Sequence, residues 1–278
     1  MRLLSLRNPF AGAIYHEETL SSTFDAARVL AKRGEPHGTV ITADFQEAGK
    51  GRHNRPWKTE PGKNLLFTIL LNYEDFSLIP QALTLRTGLA VSLAIEDLAP
   101  ALTGFVKVKW PNDVMIDSGK ATGKMQAACK AAGILTETDG NNVLIGIGVN
   151  VAQREFPEEY RSRAISIIQV MPELQENARF ILLEKILCRL HEEIEKSPEE
   201  TLSGELEKFT GGEEPWQKAL LGRLYKLGET VNFAEGPADS DRIITGTLSG
   251  INSRGELLII PEGEDKERAF ITGELRLG

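Results

Sequence analysis

Apolar positions recur along this chain with two different periods. From Thr39 to Phe45 the residues are those of a β-strand. Asn64 to Leu71 is apolar at nearly every position, as expected of a central strand covered on both faces. Ile14 to His16 reads as a short strand. It leads into Ser21-Ser22-Thr23, whose hydroxyls can cap a helix carrying Phe24, Ala27 and Leu30 at helical spacing and closed by Gly34. Leu78 to Leu98 keeps a helical period until Pro100. Phe105 to Trp110 alternates, with Val106 and Val108 opposed to Lys107 and Lys109. Gly133 to Thr138 and Val143 to Val151 are two further strands, joined by a turn at Asp139-Gly140. Asn177 is placed to cap a helix with Phe180, Leu183, Leu187, Leu190 and Ile194 inward, and Ser197-Pro198-Glu199-Glu200 is a capping box that opens another.

After Trp216 the texture changes. Short β segments at Thr230 to Ala234, Ile243 to Ile251, Leu257 to Pro261 and Ala269 to Leu277 are separated by glycine-rich or charged turns. That is the pattern of a small barrel, and it divides the chain into residues 1–217 and 218–278. A total of 278 residues suits one large domain and one small one. No internal repeat is visible.

With 41% hydrophobic and 26% charged residues the chain has an ordinary globular composition. Its 40 acidic against 32 basic residues give a net charge of -8, which argues against a general nucleic-acid or membrane-surface binder. The first ten residues lack the apolar core of a signal peptide. Only Cys129 and Cys188 are present, too few for a zinc site or a disulfide framework. A reducing cytoplasm is the expected compartment.

One stretch runs against this acidic balance. Gly49-Lys50-Gly51-Arg52-His53-Asn54-Arg55-Pro56-Trp57 gathers cations, glycines and a tryptophan. Glycines 49 and 51 allow close approach and positive φ, the arginines offer planar donors for phosphate or carboxylate, and Trp57 offers a stacking face. The same composition also suits a solvated loop. Lys109-Trp110-Pro111-Asn112-Asp113 follows a strand and breaks it. Asn112 and Asp113 there could contact a ligand, or could form an Asx turn that only reverses the chain. Lys130 precedes Ala131-Ala132-Gly133-Ile134-Leu135. Gly146-Ile147-Gly148-Val149-Asn150 removes side chains from one face of a strand, which admits a ligand or an opposing backbone.

Taken in order, GKGRHNRPW, the PGKNL of Pro61 to Leu65, KWPND, KxxGIL and GIGVN closely resemble the motifs of the biotin protein ligase family. The resemblance extends to Gly246–Ile251, Gly255-Glu256-Leu257 and Gly273-Glu274-Leu275-Arg276-Leu277 near the C-terminus. It implies an α+β fold: a class II aminoacyl-tRNA synthetase-like catalytic domain, a mixed sheet flanked by helices, followed by an SH3-like barrel. It implies an ATP-dependent ligase that makes biotinyl-5'-AMP and passes biotin to a lysine of a biotin carboxyl carrier protein or domain, with Mg²⁺ accompanying ATP. The resemblance places Lys130, Arg52 and Asp113 in catalysis. Ser22, Thr23, Gln46, Gly49, Arg52 and Lys130 are expected around biotin. Arg52, Arg55, Trp57, Asn112 and Asn150 are expected around ATP and the adenylate.

The chain departs from the family pattern in two places. Lys50 stands where the family carries arginine, keeping charge but losing the fork. Ser118 to Cys129 lengthens the link to Lys130 and brings in Lys120 and Lys124, which could compete for its role. No helix-turn-helix pattern precedes residue 14, so a monofunctional form without a DNA partner is expected; a homodimer is compatible with the family. Two other readings are a lipoate–protein ligase, which shares the catalytic fold, and a non-catalytic biotin sensor.

Overall fold

The computed structural model describes residues 1–119, 128–195, 214–236 and 241–276. Lys120, Lys124, the capping box at 197–200 and Leu277 lie outside the described residues.

An eight-stranded mixed sheet runs in the order β1-β2-β3-β4-β8-β7-β6-β5. Its strands are β1 Arg2–Leu3, β2 Ile14–Leu20, β3 Thr39–Gln46, β4 Leu65–Asn72, β5 Val106–Lys109, β6 Asp113–Ile116, β7 Cys129–Asp139 and β8 Asn142–Val149. Among the described strands of this sheet only β2 and β3 pair with each other in parallel. The doubly apolar β4 is central, as its composition requires, and all its residues but Asn72 are buried. Leu65, Phe67, Ile69 and Leu71 meet α2 (Leu83–Leu98) and α5 (Ala178–Ile194) on one face. Leu70, with Ile41 and Leu144, meets Phe24, Ala27 and Leu30 of α1 (Thr23–Lys32) on the other.

Helix α1 starts where the hydroxyl run predicts: Ser22 is its N-cap and accepts from Phe24 N–H. The long helix starts later than its periodicity suggests. Pro80 interrupts it and Ala82 lies at φ 53°, so a separate 3₁₀ turn covers Phe76–Leu78. Phe76–Leu98 is the one segment among the described residues long and apolar enough to cross a membrane, and 56% of its apolar window is buried inside the protein. Single turns α3 Glu158–Arg161 and α4 Ile167–Val170 follow β8. Asn177 precedes α5 but makes no side-chain cap bond.

The C-terminal part holds α6 Pro215–Leu221 and strands β9 Thr230–Glu235, β10 Ile243–Ile251, β11 Leu257–Pro261, β12 Arg268–Phe270 and β13 Gly273–Leu275. They form an antiparallel sheet ordered β12-β11-β10-β9-β13. Where the sequence predicts a closed barrel, no ladder joins β12 to β13 among the described residues. These edge strands are nevertheless separated by Ile271-Thr272 alone, a reach of about 11 Å. Five flat strands would span about 19 Å, so the sheet is strongly curled. The expected single strand at 269–277 is split because β13 must leave β12 to pair with β9.

This sheet shares a core with the large one. Leu85, Leu89, Val108 and Trp110 pack with Trp216, Leu220, Phe233, Leu248 and Ile259. Trp110 meets Phe233 edge-on at 5.9 Å and donates its indole N–H to the Gly255 carbonyl at 3.0 Å. Helix α6 spans residue 218, and its Trp216 belongs to this shared core.

Candidate active site

Glycines on β7 and β8 make the floor. A Cβ on Gly148 would stand 2.7 Å from Trp57 Cε2, and one on Gly133 would stand 3.1 Å from both the Trp57 ring and Lys130 Cε. At Gly146 a Cβ would meet the Phe24 ring at 2.1 Å. The alternating glycines therefore admit two aromatic side chains, where the sequence left a ligand or a backbone as the choice. The buried Trp57 Nε1–H has no partner among the described residues.

At the start of α1, Gln46 Oε1 accepts from Thr23 N–H at 2.8 Å and Thr23 Oγ1–H at 3.0 Å. Thr68 donates to Thr23 Oγ1 at 2.8 Å, so Ser22, Thr23, Gln46 and Thr68 form one polar corner. Thr68 is fully buried, and its only trace in the sequence is a hydroxyl within an apolar strand.

The flap at 49–57 is a short hairpin. Trp57 N–H donates to the Gly49 carbonyl at 2.9 Å, and Gly51 N–H to the Arg55 carbonyl at 2.8 Å. Positive φ falls on His53 and Asn54 rather than on the glycines. Gly49 is needed for close approach instead, because a Cβ would lie 2.9 Å from the Trp57 carbonyl. Gly51 meets nothing nearer than 3.6 Å. Arg52 donates to Asn112 Oδ1 at 3.3 Å and to the Gly273 carbonyl at 3.4 Å. Arg55 makes a fork to both oxygens of Glu274, each 3.1 Å away.

Lys109, Asn112 and Asp113 lie on the β5–β6 hairpin, a reversal that pairs Lys109 with Asp113. Strand β6 itself is hidden in the sequence. Lys130 Nζ lies 2.5 Å from Asp113 Oδ1 and 5.4 Å from the centroid of Trp57. Asn112 and Asn150 are buried, and their amide groups serve as struts. Asn112 donates to the Ile134 carbonyl at 2.7 Å. Asn150 donates to the carbonyls of Ile165 at 3.2 Å and Lys130 at 3.4 Å.

Strand alternation paired Lys109 with Lys107 as outward and polar, yet Lys109 is only 4% exposed. Burial pushes its ammonium pKa down, opposed by Asp113 and Glu274. Arg52 is likewise lowered by burial, again against the pull of Glu274 and Asp113. Burial works to raise the Glu274 carboxyl, but the Arg55 hydrogen bonds and charge, with Lys109 and Arg276, hold it below its ordinary value. Arg52, Lys109 and Lys130 thus surround two carboxylates. The site is rich in positive charge that is partly desolvated, which suits binding of a polyanion. Among the described residues no group of three His, Cys, Asp or Glu could hold a metal ion.

Residues 18–151 match the Biotin/lipoate A/B protein ligase family. The chain is 38% identical to the bifunctional ligase/repressor BirA of Bacillus subtilis over 95% of its own length and 74% of that protein's. It is 28% identical to the biotin–[acetyl-CoA-carboxylase] ligase of Paracoccus denitrificans, over 79% of this chain and 82% of that one. Its structure is similar to that of the Aquifex aeolicus biotin protein ligase in complex with biotin and ATP, with TM-score 0.71, 28% identity and 95% and 97% of the two chains covered. The chain belongs to the biotin/lipoate A/B protein ligase family, and within it to the biotin protein ligases.

Proposed function

We infer that the protein is an ATP-dependent biotin–protein ligase. In the first step a biotin carboxylate oxygen attacks the α-phosphorus of ATP, the bond to pyrophosphate breaks, and biotinyl-5'-AMP forms. In the second, the amine of a carrier lysine attacks the acyl carbon and AMP leaves. The observation that carries this reading is the pairing of Lys130 with Asp113 beneath a flap that brings Arg52 to Asn112 and rests its Trp57 on Gly133 and Gly148.

Bringing a carboxylate to a phosphate requires fixed positive charge, and Lys130 with Arg52 supplies it at the reacting centre. The corner of Ser22, Thr23, Gln46 and Thr68 offers hydroxyl and amide groups for the ureido ring, with Gly49 closing it. Trp57 and Arg55 cover the nucleotide. Asn112 and Asn150 act from behind, Asn112 by bonding Arg52 and Asn150 by bonding the Lys130 carbonyl. Asp113, already beside Lys130, is placed to take the proton of the incoming amine. Mg²⁺ would accompany ATP and add positive charge at its phosphates, with Asp113 the carboxylate nearest the reacting lysine. The flap excludes water from the mixed anhydride.

The carrier partner is a carboxylase carrier protein or domain, and the cytoplasm is the compartment. Residues 1–217 form the catalytic domain in this reading, and the curled sheet of 218–278 is the SH3-like domain. The test is pyrophosphate exchange dependent on both biotin and ATP, followed by transfer to a biotin carboxyl carrier fragment. Labelling of a lipoyl domain with lipoate instead would overturn the assignment, and biotin binding without turnover would favour a sensor.

A further inference from the structure

Beyond β8 the chain returns to the site. It passes through Phe156 and Pro157 into α3 and runs back beside the start of β7. Lys130 N–H donates to the Arg163 carbonyl at 2.8 Å, and Ile165 N–H donates to the Lys130 carbonyl at 3.0 Å. Met115 of β6 faces Lys130 from the opposite side, so the backbone of this lysine is held between a strand and a strap. The family match ends at residue 151, and none of the sequence motifs falls on the strap.

The strap also holds the flap. The Lys58 ammonium stands 5.9 Å from the Tyr160 ring centroid and the Arg163 guanidinium 5.4 Å, so one ring serves two cations. Glu159 supplies the compensating charge by accepting from Lys58 at 2.9 Å. Lys58 directly follows Trp57, the residue lying over the glycine floor beside Lys130. The trailing end of the flap and the backbone of Lys130 are therefore fastened to the same strap, through residues 159–165.

We propose that Tyr160 and Glu159 are positioning residues of the adenylation site, clipping Lys58 so that the flap closes in register with Lys130. The inference rests on the ligase reading. It gives the strap a task that packing alone does not require, because Tyr160 and Glu159 lie toward the surface. Each contact is of a kind worth at most a small factor at a surface, so their loss would loosen the flap rather than remove it.

The experiment measures release of radiolabelled biotinyl-5'-AMP from wild-type enzyme and from Tyr160→Ala, Tyr160→Phe, Lys58→Ala and the Tyr160→Ala/Lys58→Ala double variant. Tyr160→Ala should speed release about three- to tenfold, Tyr160→Phe should stay near wild type, and the double variant should match the faster single one. Lys58→Ala alters only an exposed side chain, so it reports even where Tyr160→Ala unfolds the strap. Unchanged release in Lys58→Ala, or effects that multiply in the double variant, would overturn the proposal while leaving the ligase reading intact. Failure of the wild-type enzyme to form any adenylate would overturn the ligase reading, and the strap's role with it.

Discussion

Arg55 grips Glu274 through two parallel hydrogen bonds of 3.1 Å, tying a loop near the front of the chain to its last described strand. Arg52 reaches the neighbouring Gly273 carbonyl. That residue lies at φ 150°, and a Cβ would meet the Phe233 ring at 2.3 Å. The flap is therefore seated on the C-terminal sheet as well as on the strap.

The Arg55–Glu274 pair carries a pH signature. The folded Glu274 carboxyl lies below its ordinary 4.5, so on acidification the unfolded chain takes up the proton first. The pair's contribution is complete above about pH 4.5 and fades as pH falls through the folded value. Glu274→Gln should lower Tm slightly at neutral pH, with the difference from wild type shrinking below pH 4.5. A difference independent of pH would show that the charge is not what matters.

Removing the central ammonium should stop chemistry without unfolding the protein. Lys130→Ala is expected to reduce biotin-dependent pyrophosphate exchange by about 10²-fold or more, in line with the loss of a preorganised charge. Its thermal transition should stay close to wild type, because the Lys130 side chain is 32% exposed. Near-normal exchange would move the role to another lysine, Lys120 and Lys124 first.

The glycine floor predicts an asymmetry between two similar substitutions. Gly146→Ala drives a methyl to 2.1 Å from the Phe24 ring inside a packed cluster, and should destabilise the fold by about 1–3 kcal/mol. Gly148→Ala pushes on Trp57 at 2.7 Å, and Trp57 belongs to the flap. Its main effect should be faster adenylate loss with a smaller change in Tm. Equal Tm losses in the two variants would refute this division.

His16 should make stability fall on mild acidification. It is 2% exposed, and burial lowers its pKa below 6.5 against the opposing pull of Asp44, whose Oδ2 lies 3.4 Å from Nε2. Below pH 6.5 the unfolded chain therefore binds a proton that the folded one resists, so stability is lost as pH drops through that value. Denaturant midpoints at pH 7.5 and 5.5 should converge in His16→Gln, and an unaltered pH slope would exclude His16 as its source.

The apolar periods reveal much of the scaffold. The Ser22 cap, the core face of α1 and the buried β4 follow from local sequence, because each depends on neighbours a few residues away, whereas the strand order, with β4 beside β8, is set by pairing across the chain. The motifs likewise point to Lys130, Asp113, Arg52 and Trp57, and the fold brings those four together. Long-range compensation is what the sequence hides. Lys109 looks like an outward strand residue because the carboxylate of Glu274 comes from far along the chain. Thr68 is masked by its apolar neighbours, and β6 by the proline and asparagine before it. The positive φ assigned to Gly49 and Gly51 falls on His53 and Asn54, since the flap's bend comes two residues past Gly51.

The indole of Trp110 bonds the Gly255 carbonyl from inside the motif that also carries Asn112 and Asp113. The two halves of this enzyme are thus not interchangeable parts. A C-terminal sheet grafted from a distant cousin would need an acceptor at the same spot and an acid able to meet Arg55. On the ligase reading, a hybrid lacking both is expected to release the activated vitamin early.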